Sequence, residues 1–458
     1  MRLRDYKVTI VGMGRTALAL AELVRREGGA PFVTDAASGQ RLEPFREELE
    51  KRGVPYECGG HTQAAFKDAR YVIPSPGVSP HIEPIARAHD QGADLLGEME
   101  FAWRHCRSRI LAVTGTNGKT TTTALLRALL EAAGHSVLLA GNNDLPFSAA
   151  VLAEPAPAHI VLEVSSYQLE MARHFRPWIA CVLNVSPDHL ERHKSIEAYA
   201  KVKARIHARQ RAGDIAVVNA DDPWTRDMAI PEGVTTWPFS LAQPHEPGLW
   251  VDGDTIRAGN TAVAHRADTQ LPGRHNLQNV LAALTMMRAG RFDWGKTIEA
   301  LRDFRGVEHR IEHVADIAGV PFYNDSKSTN LESLKAALES FDAPVVLIAG
   351  GRGKGADYRT LRRLVGARVK ALIVLGEDAP RLEQAYGDLA PTQRAADMDD
   401  AVARAAACAQ PGDVVLLSPA CASFDMYRDF EERGQVFKKC VVARAEASAP
   451  GLVEGQKR

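Results

Sequence analysis

Residues 110–120 read ILAVTGTNGKT, and this stretch decides the fold class of the chain. Its first four residues are apolar and predict a short buried strand. Two glycines then mark a tight turn, and the apolar periodicity of residues 120–130 predicts a helix. A strand that passes through a glycine-rich turn into a helix is typical of parallel α/β sheets, whose ligands lie at the carboxyl ends of the strands.

The same pattern occurs twice more. In the first part of the chain, residues 8–11 (VTIV) precede Gly12-Met13-Gly14 and a helical pattern that reaches Leu23. In the last part, residues 345–348 (VVLI) precede Gly350-Gly351-Arg352-Gly353 and a helical pattern near Leu361. Since 458 residues are too many for one core, three such starts predict three α/β domains.

The domain boundaries are predicted at 1–97, 98–304 and 305–458. Residues 235–269 hold short alternating segments that are broken by proline and glycine. Such segments predict antiparallel strands that follow the parallel strands of the central domain.

The composition excludes several classes of protein. A net charge of −1 gives no global basic field to attract nucleic acid or anionic lipid. The six cysteines form no Cys-x-x-Cys pair and are expected to be reduced thiols. No apolar run approaches the ~20 residues of a membrane span, and the N-terminus has no signal-peptide core. A cytoplasmic protein is therefore expected.

The glycine turn at 115–120 predicts a phosphate site. Backbone N–H groups in such a turn, at the start of a helix, can cradle phosphate oxygens. Lys119 would reach the β and γ phosphates, and the Thr120 hydroxyl would bind Mg²⁺. The full motif has a glycine at the position of Val113, so this is a shortened form. The alternative, an ordinary glycine turn capped by threonines, leaves the Lys-Thr pair unexplained.

Two further strand ends carry candidate metal ligands. Glu163 follows the apolar residues 160–162, where a phosphate-loop protein needs a second Mg²⁺ ligand. His189 lies beyond the next candidate strand, 181–183, with Asp188 and His193 as rival ligands.

Other patterns leave their interpretation open. Gly12-x-Gly14 with Asp35 fits a nicotinamide cofactor, a nucleotide-containing substrate or tight packing alone. Residues 199–206 predict a helix with a basic face that, by itself, would be solvated. Residues 324–330 place polar groups between a strand and a helix, which suits an anion or a ribose. We interpret Cys421 as a buried thiol and not as a nucleophile.

Taken together, these motifs resemble the Mur ligase family over essentially the whole chain. The resemblance rests on residues 114–120 (TGTNGKT), 163–170 (EVSSYQLE), 184–190 (NVSPDHL), 217–222 (VVNADD), 273–276 (GRHN), 308–312 (EHRIE), 324–330 (NDSKSTN) and 418–425 (SPACASFD). It is strongest to the branch that adds D-glutamate to UDP-N-acetylmuramoyl-L-alanine in peptidoglycan synthesis.

The resemblance implies a fold and an activity. It implies a Rossmann-like N-terminal domain, a central ATPase-like domain with a parallel sheet plus a small antiparallel sheet, and a Rossmann-like C-terminal domain. The implied enzyme is a monomeric cytoplasmic ligase that uses ATP and two Mg²⁺ ions, with Mn²⁺ as a substitute. It forms an acyl phosphate, releases ADP and phosphate, and serves cell wall biogenesis, cell shape and cell division. Its partners are its small-molecule substrates, not nucleic acid or membrane.

The resemblance also implies roles for individual residues. The implied catalytic residues are Lys119, His189 and a carbamylated Lys203, which replaces the solvated interpretation of that helix. The implied metal ligands are Thr120, Glu163, His189 and Lys203. The implied ATP-binding residues are Gly115, Thr116, Asn117, Gly118, Lys119, Thr120, Thr121, Asn276, Asn279, His309, Arg310 and Asp325. The implied substrate-binding residues are Gly12, Gly14, Thr16, Asp35, Asn142, Lys327, Thr329, Lys354, Ser423 and Phe430.

The chain departs from the family pattern at Arg15, Ala36, Ala37, Asn143, Asp144 and Arg352. Four alternatives are weighed against the main hypothesis. A same-family ligase for L-glutamate differs only in pocket chirality. A folylpolyglutamate synthase would not need the glycine-rich domain at 1–97. An NAD-dependent dehydrogenase leaves the turn at 115–120 unexplained. A non-catalytic nucleotide-binding protein would not need Lys119, Glu163, His189 and Lys203 together.

Overall fold

The computed structural model describes residues 3–142, 145–353 and 355–448. Its strands form three sheets, and the predicted α/β class with three domains is confirmed. Contacts divide the chain into two compact units. The first unit comprises Met1–Thr269 and Leu277–Phe304, and the second comprises Gln270–Asn276 and Arg305–Arg458.

The first sheet is parallel and belongs to the first unit. Its strands are β1 (Lys7–Val11), β2 (Ala30–Asp35), β3 (Tyr56–Cys58), β4 (Ala69–Pro74) and β5 (Asp94–Leu95), in the order β3-β2-β1-β4-β5. Its helices are α1 (Arg15–Arg26), α2 (Glu43–Lys51), α3 (Gln63–Phe66) and α4 (Glu83–Asp90), with a 3₁₀ turn at Gln40–Leu42. The strand order reverses between β1 and β4, which is where parallel sheets bind ligands.

The second sheet, also in the first unit, has nine strands. They are β6 (Arg109–Thr114), β7 (Val137–Gly141), β8 (His159–Glu163), β9 (Ile179–Val182), β10 (Ile215–Asn219), β11 (Thr235–Ser240), β12 (Leu249–Asp252), β13 (Thr255–Ala258) and β14 (Thr261–His265). Their order is β14-β13-β12-β11-β10-β9-β6-β8-β7. Strand β6, which precedes the glycine turn, therefore lies between β8 and β9.

The antiparallel strands of the central domain differ in one respect from the expectation. They extend the parallel sheet at its edge and do not form a sheet of their own. Strand β11 pairs in parallel with β10, and β12 pairs in parallel with β11. The antiparallel pairs among the described strands of this sheet are β12–β13 and β13–β14.

The helices of the central region connect and cover this sheet. They are α5 (Glu98–Trp103), α6 (Lys119–Ala132), α7 (Phe147–Val151), α8 (Ser166–Glu170), α9 (Leu190–His193), α10 (Ile196–Ala204), α11 (Pro223–Arg226), α12 (Arg274–Ala289) and α13 (Trp294–Asp303), with a 3₁₀ turn at Arg266–Asp268. A single hydrophobic core joins the first sheet to this region through Leu96, Met99, Phe101 and Phe147.

The third sheet belongs to the second unit. Its strands are β15 (Glu312–Ile317), β16 (Val320–Asn324), β17 (Val345–Gly350), β18 (Val369–Leu375), β19 (Thr392–Arg394) and β20 (Val414–Leu417), in the order β15-β16-β20-β17-β18-β19. Only the β15–β16 pair is antiparallel. Its helices are α14 (Leu331–Leu338), α15 (Arg362–Arg368), α16 (Ala379–Tyr386), α17 (Met398–Cys408) and α18 (Phe430–Ser448), with a 3₁₀ turn at Tyr358–Leu361.

Strand β17 shows why the C-terminal sequence folds in this way. All six of its residues are buried. Val345, Leu347 and Ala349 pack into one hydrophobic cluster, while Val346 and Ile348 pack into another. Alternate side chains point to opposite faces of a strand, so helices cover both faces of this sheet.

Two expectations from composition can be compared with the fold. All six cysteines are free thiols. Within the described ranges, no helix combines the length and the apolar character that a membrane span requires.

Candidate active site

The glycine turn lies where the sequence predicts it, between β6 and α6. Gly118 precedes α6 with φ of 83°, a conformation that glycine adopts at little cost. A Cβ atom at Gly118 would lie 2.1 Å from Asn279 Oδ1. The structure thus places Asn279, one of the implied ATP-binding residues, directly against the turn.

A residue with no predicted role holds this turn in place. Asn184 accepts a hydrogen bond from Thr116 N–H through its backbone carbonyl (3.0 Å) and one from Asn117 N–H through Oδ1 (2.9 Å). Its Nδ2 donates in return to the Asn117 carbonyl (3.2 Å). Asn184 is the first residue of the motif at 184–190. Its partner Asn117 lies 67 positions away, so no local pattern predicts the contact.

Two lysines converge on one carbonyl of the turn. Lys119 Nζ donates to the carbonyl oxygens of Gly115 and Thr116, each at 2.8 Å. Lys203 Nζ donates to the same Gly115 oxygen, also at 2.8 Å, and lies 4.4 Å from the centre of the Tyr199 ring. Because Lys203 is only 1% exposed, the interpretation of its helix face as solvated is wrong at this position.

The burial of Lys203 changes its acid–base chemistry. Desolvation lowers the pKa of Lys203 well below its ordinary value, and the positive charge of Lys119 adds to this effect. Lowering the pKa of a lysine raises the fraction of neutral amine, which is the nucleophilic form.

Glu163 ends strand β8 beside the glycine turn, in register with Val113 of β6. It is 3% exposed, and its Oε1 accepts a hydrogen bond from Asn142 Nδ2 at 3.0 Å. Its Oε2 is buried with no hydrogen-bond partner in the described structure. A buried carboxylate oxygen without a partner is costly, and a bound cation would satisfy it. The donor set of Glu163, the Thr120 hydroxyl and an imidazole fits a divalent metal.

Asn142, which the resemblance implies for the nucleotide-linked substrate, lies beside this glutamate. Its side chain donates to the Glu163 carboxylate and its backbone N–H donates to the Glu163 carbonyl. These contacts fix the orientation of the carboxylate. The neighbouring Asn143 and Asp144, which depart from the family pattern, lie outside the described residues.

The structure separates the three rival ligands that follow β9. His193 is buried, with Nε2 3.0 Å from Ser166 Oγ and Nδ1 3.3 Å from Glu170, so both ring nitrogens are engaged. His189 caps α9 at φ of 53°, its side chain is 42% exposed, and its Nδ1 lies 3.1 Å from the Tyr167 hydroxyl. Asp188 lies 3.5 Å from His189 Nε2. His189 and Asp188 remain accessible to a ligand.

The N-terminal glycine turn follows β1 at the reversal of strand order. Gly12 has φ of 99°, and a Cβ atom there would lie 2.8 Å from Ser75 Oγ. Asp35 ends β2 and accepts backbone hydrogen bonds from Met13 (2.7 Å) and Ala37 (2.8 Å). Its carboxylate therefore stabilises the turn through these hydrogen bonds. Among the described residues other than its chain neighbours, none has an atom within 4 Å of the Cβ position of Gly14. Thr16 in the first turn of α1 is partly exposed.

A second group of predicted residues lies in the C-terminal unit. Asp325 follows β16, is buried, and accepts hydrogen bonds from Ser418 Oγ (2.9 Å) and Ile311 N–H (3.3 Å). Burial raises the pKa of Asp325 to about 7. His309 is buried at φ of 64°, and its Nδ1 lies 2.9 Å from Asn324 Nδ2. Its pKa is lowered by burial.

Lys327 and Phe430 meet in the same unit. Lys327 Nζ lies 3.7 Å from the centre of the Phe430 ring, and its backbone N–H donates to the His309 carbonyl at 3.1 Å. The ring of Phe430 in turn lies edge-on to the His309 ring at 6.0 Å. These contacts join residues implied for ATP with residues implied for the muramoyl and amino-acid substrates.

The remaining predicted residues of this unit occupy nearby segments. Ser423 is buried after β20, and its carbonyl accepts hydrogen bonds from the N–H groups of Met426 and Tyr427. Arg310 and Thr329 are partly exposed, and Asn276 donates from Nδ2 to the Pro272 carbonyl at 2.7 Å. Lys354 lies outside the described residues.

Comparisons with known proteins bear on the whole chain. Three family models match it: the N-terminal domain of MurD-like Mur ligases at residues 6–97, the Mur ligase middle domain at 113–287, and the glutamate ligase domain of Mur ligases at 309–421.

Curated relatives match nearly the full length of both chains. The UDP-N-acetylmuramoylalanine–D-glutamate ligase of Acidobacterium capsulatum is 41% identical, with 98% of this chain and 99% of the relative covered. The protein of the same name from Anaeromyxobacter dehalogenans is 42% identical, with 97% and 99% covered.

Solved structures share the fold at lower identity. The UDP-N-acetylmuramate–alanine ligase MurC of Thermotoga maritima superposes with a TM-score of 0.59 at 18% identity, covering 95% of this chain and 99% of that one. Escherichia coli FolC, in complex with DHPP and ADP, superposes with a TM-score of 0.54 at 16% identity, covering 76% and 91%.

Proposed function

The chain belongs to the Mur ligase family, and on that premise we propose that it joins D-glutamate to UDP-N-acetylmuramoyl-L-alanine, converting ATP to ADP and phosphate. One observation carries the proposal: relatives named for this reaction are about 40% identical over nearly the whole of both chains. The chain is an ATP-dependent ligase that acts on small molecules. Its product serves peptidoglycan synthesis, and the enzyme acts in the cytoplasm as a monomer.

The phosphate turn binds ATP in this proposal. Its backbone N–H groups and the start of α6 face the phosphates, which they stabilise through the helix dipole. Lys119 exchanges its two carbonyl acceptors for the β and γ phosphates. Asn276, Asn279, His309, Arg310 and Asp325 hold the adenine, the ribose and the phosphates.

Two Mg²⁺ ions, or Mn²⁺ in their place, would be held by Glu163, Thr120, His189 and Lys203. The buried Oε2 of Glu163 without a partner supports this assignment. Metal ions bound there would neutralise the charge that opposes attack of a carboxylate on the γ-phosphoryl group. The residues of the chain orient the reactants, and the acyl phosphate that forms is attacked by the amine of glutamate, with phosphate as the leaving group.

Lys203 acts as a carbamate. Its lowered pKa supports this role, since only a neutral amine adds to CO₂. Addition of CO₂ to the amine, with loss of one proton to solvent, gives an anion whose oxygens suit Mg²⁺. The negative charge so formed would be attracted to the neighbouring Lys119.

Binding of the uridine-linked substrate and of glutamate is assigned mainly to the N-terminal and C-terminal domains. Gly12, Gly14, Thr16 and Asp35 frame the uridine nucleotide, and Asn142 approaches the muramoyl part from beside Glu163. Lys327, Thr329, Lys354, Ser423 and Phe430 hold the alanyl carboxylate and the glutamate. We place the domain limits at 97/98 and 304/305.

Phosphate release from ATP tests the proposal directly. We expect release with UDP-N-acetylmuramoyl-L-alanine plus D-glutamate, and background release when either substrate is left out. Equal or faster release with L-glutamate would instead favour the L-glutamate ligase. Absence of release with both enantiomers, from protein with a native circular dichroism spectrum, would refute the proposal.

A further inference from the structure

A cluster of positive charge lies in the first compact unit and uses none of the residues proposed for catalysis. A cavity of about 450 Å³ is bounded by residues 172–175, which follow α8, and by Arg205, Ala208 and Arg209, which follow α10. Its charged lining consists of Arg173, Arg205 and Arg209, beside His174. Among the described residues that line it, none is acidic.

Each of these arginines is fixed through one nitrogen. Arg205 Nη2 donates to the Ala172 carbonyl at 2.6 Å, and Arg209 Nε donates to the Arg173 carbonyl at 2.7 Å. Arg173 Nη1 donates to Asp94 Oδ1 at 2.8 Å. A guanidinium group has three nitrogens and five N–H donors, so each side chain is oriented and still has donors for a ligand.

The carboxylates near these arginines balance their charge only in part, and Glu170 and Glu191 line an adjoining cavity that Arg173 and Arg205 also reach. Asp94 pairs with Arg173 alone. Glu100 is fully buried, and its oxygens accept hydrogen bonds from the backbone N–H groups of residues 173–175 and from the His174 ring. Glu100 therefore supports the cavity wall and is already saturated. Arg205 and Arg209 hold like charges at one cavity, and an anion between them would lower the electrostatic free energy.

We propose that this cavity binds a small, multiply charged phosphate compound of the diphosphate class, at a site separate from the ATP site. The planar fork of arginine matches two phosphate oxygens at once, and three oriented forks suit a ligand with more than one phosphate. The volume suits a small molecule. The chain's net charge of −1 gives no wider basic field for a nucleic acid or an anionic membrane.

Calorimetric titration with inorganic pyrophosphate, in metal-free buffer, tests the site in the full-length protein. Pyrophosphate would also bind the phosphate turn, so the titration uses Lys119→Ala as the background. We expect saturable binding at one site per chain in that background. Adding Arg209→Gln should weaken the affinity about tenfold or more, because it removes a charge-assisted contact.

Arg211→Gln is the matched control, since Arg211 lies in the same turn but does not line the cavity. It should leave the affinity unchanged. Arg205→Lys keeps the charge, removes the fork and should give an intermediate affinity, which covers the case of a misfolded Arg209 variant. Loss of all pyrophosphate binding in Lys119→Ala, or equal affinities in the Arg209 and Arg211 variants, would overturn the proposal. Tighter binding of duplex DNA or of phosphatidylglycerol vesicles through the same arginines would overturn it as well.

Discussion

Replacing Glu100 with glutamine should destabilise the protein strongly although the substitution is nearly isosteric. Oε2 of Glu100 accepts backbone hydrogen bonds from Arg173 (3.0 Å), His174 (2.9 Å) and Phe175 (3.0 Å). Oε1 lies 3.1 Å from His174 Nδ1 and 3.2 Å from Arg104 Nε. This buried carboxylate on α5 therefore ties the start of the central domain to the segment before β9.

The expected magnitude follows from those contacts. In the glutamine variant, three hydrogen bonds worth about 1.5–3 kcal/mol each become neutral ones worth about 0.5–1.5 kcal/mol each. The loss is thus about 1 kcal/mol per bond, and we expect the free energy of unfolding to fall by about 3 kcal/mol. Urea denaturation at pH 7, followed by tryptophan fluorescence, measures this difference.

The free energy of unfolding should also depend on pH in a definite direction. Burial alone would raise the pKa of Glu100, but the backbone hydrogen bonds from His174 and Arg173 outweigh it, and the pKa is lowered. The carboxylate stabilises the fold above its unfolded pKa of about 4.3, and this contribution is lost as the pH falls through the folded pKa. The difference in free energy of unfolding between the parent and Glu100→Gln should stay constant from pH 8 to about 5 and become smaller below pH 5.

Glu98, on the same helix, is the matched control. It is also buried, but the backbone hydrogen bond that it accepts comes from one residue, Ser148, at 2.7 Å, and burial raises its pKa. Its charged form is therefore penalised above the folded pKa, so Glu98→Gln should be neutral or stabilising at pH 7. Equal losses in the two variants, or a loss below about 1 kcal/mol for Glu100→Gln, would contradict this reasoning.

Three other predictions concern the proposed centre and the sheet beneath it. Lys203→Ala should abolish phosphate release, with partial rescue by a short-chain carboxylate; near-normal activity without rescue would rule out the carbamate. Gly118→Ala should raise the Michaelis constant for ATP at least about tenfold. A left-handed φ costs a non-glycine residue about 1–2 kcal/mol, and the new Cβ would meet Asn279 Oδ1 at 2.1 Å. An unchanged Michaelis constant would show that the turn tolerates alanine. Burial lowers the pKa of His159 to about 4. The neutral imidazole therefore stabilises the fold above about pH 6.5, and this contribution is lost as the pH falls toward 4. In urea titrations, the free energy of unfolding of His159→Phe should fall less steeply between about pH 6.5 and 4 than that of the parent.

The sequence is most informative where the signal is local. Residues 8–11, 110–113 and 345–348 all lie within strands at the predicted places. Short β-branched runs followed by glycine give a strong local signal, because their side chains suit a pleated, buried surface and glycine adopts the turn conformation at little cost. The pairing of β11 and β12 with the parallel strands depends on register with a remote segment, so alternation alone predicts an antiparallel set.

The same limit applies to the candidate site. Glu163 and the phosphate turn are predictable because strand ends mark them. The burial of Lys203 is not predictable from its local pattern, since a lysine on an amphipathic helix is normally solvated and only tertiary packing makes this one 1% exposed. The resemblance to a family was needed to single it out. The hydrogen bond from Asn142 to Glu163 likewise joins residues 21 positions apart, which no helix or strand periodicity can indicate.

The position of β6 between β8 and β9 has an evolutionary consequence. The phosphate turn, Glu163 and Asn184 come from three neighbouring strand ends, although Thr116 and Ser186 are 70 positions apart in the chain. The sheet ladder alone keeps these ends adjacent, and loop-closure entropy rises only slowly with length. Insertions and deletions in the connections can therefore accumulate by descent without displacing these three strand ends. Lineages of this fold can thus vary their loops while they inherit one unchanged arrangement of the glycine turn, Glu163 and Asn184.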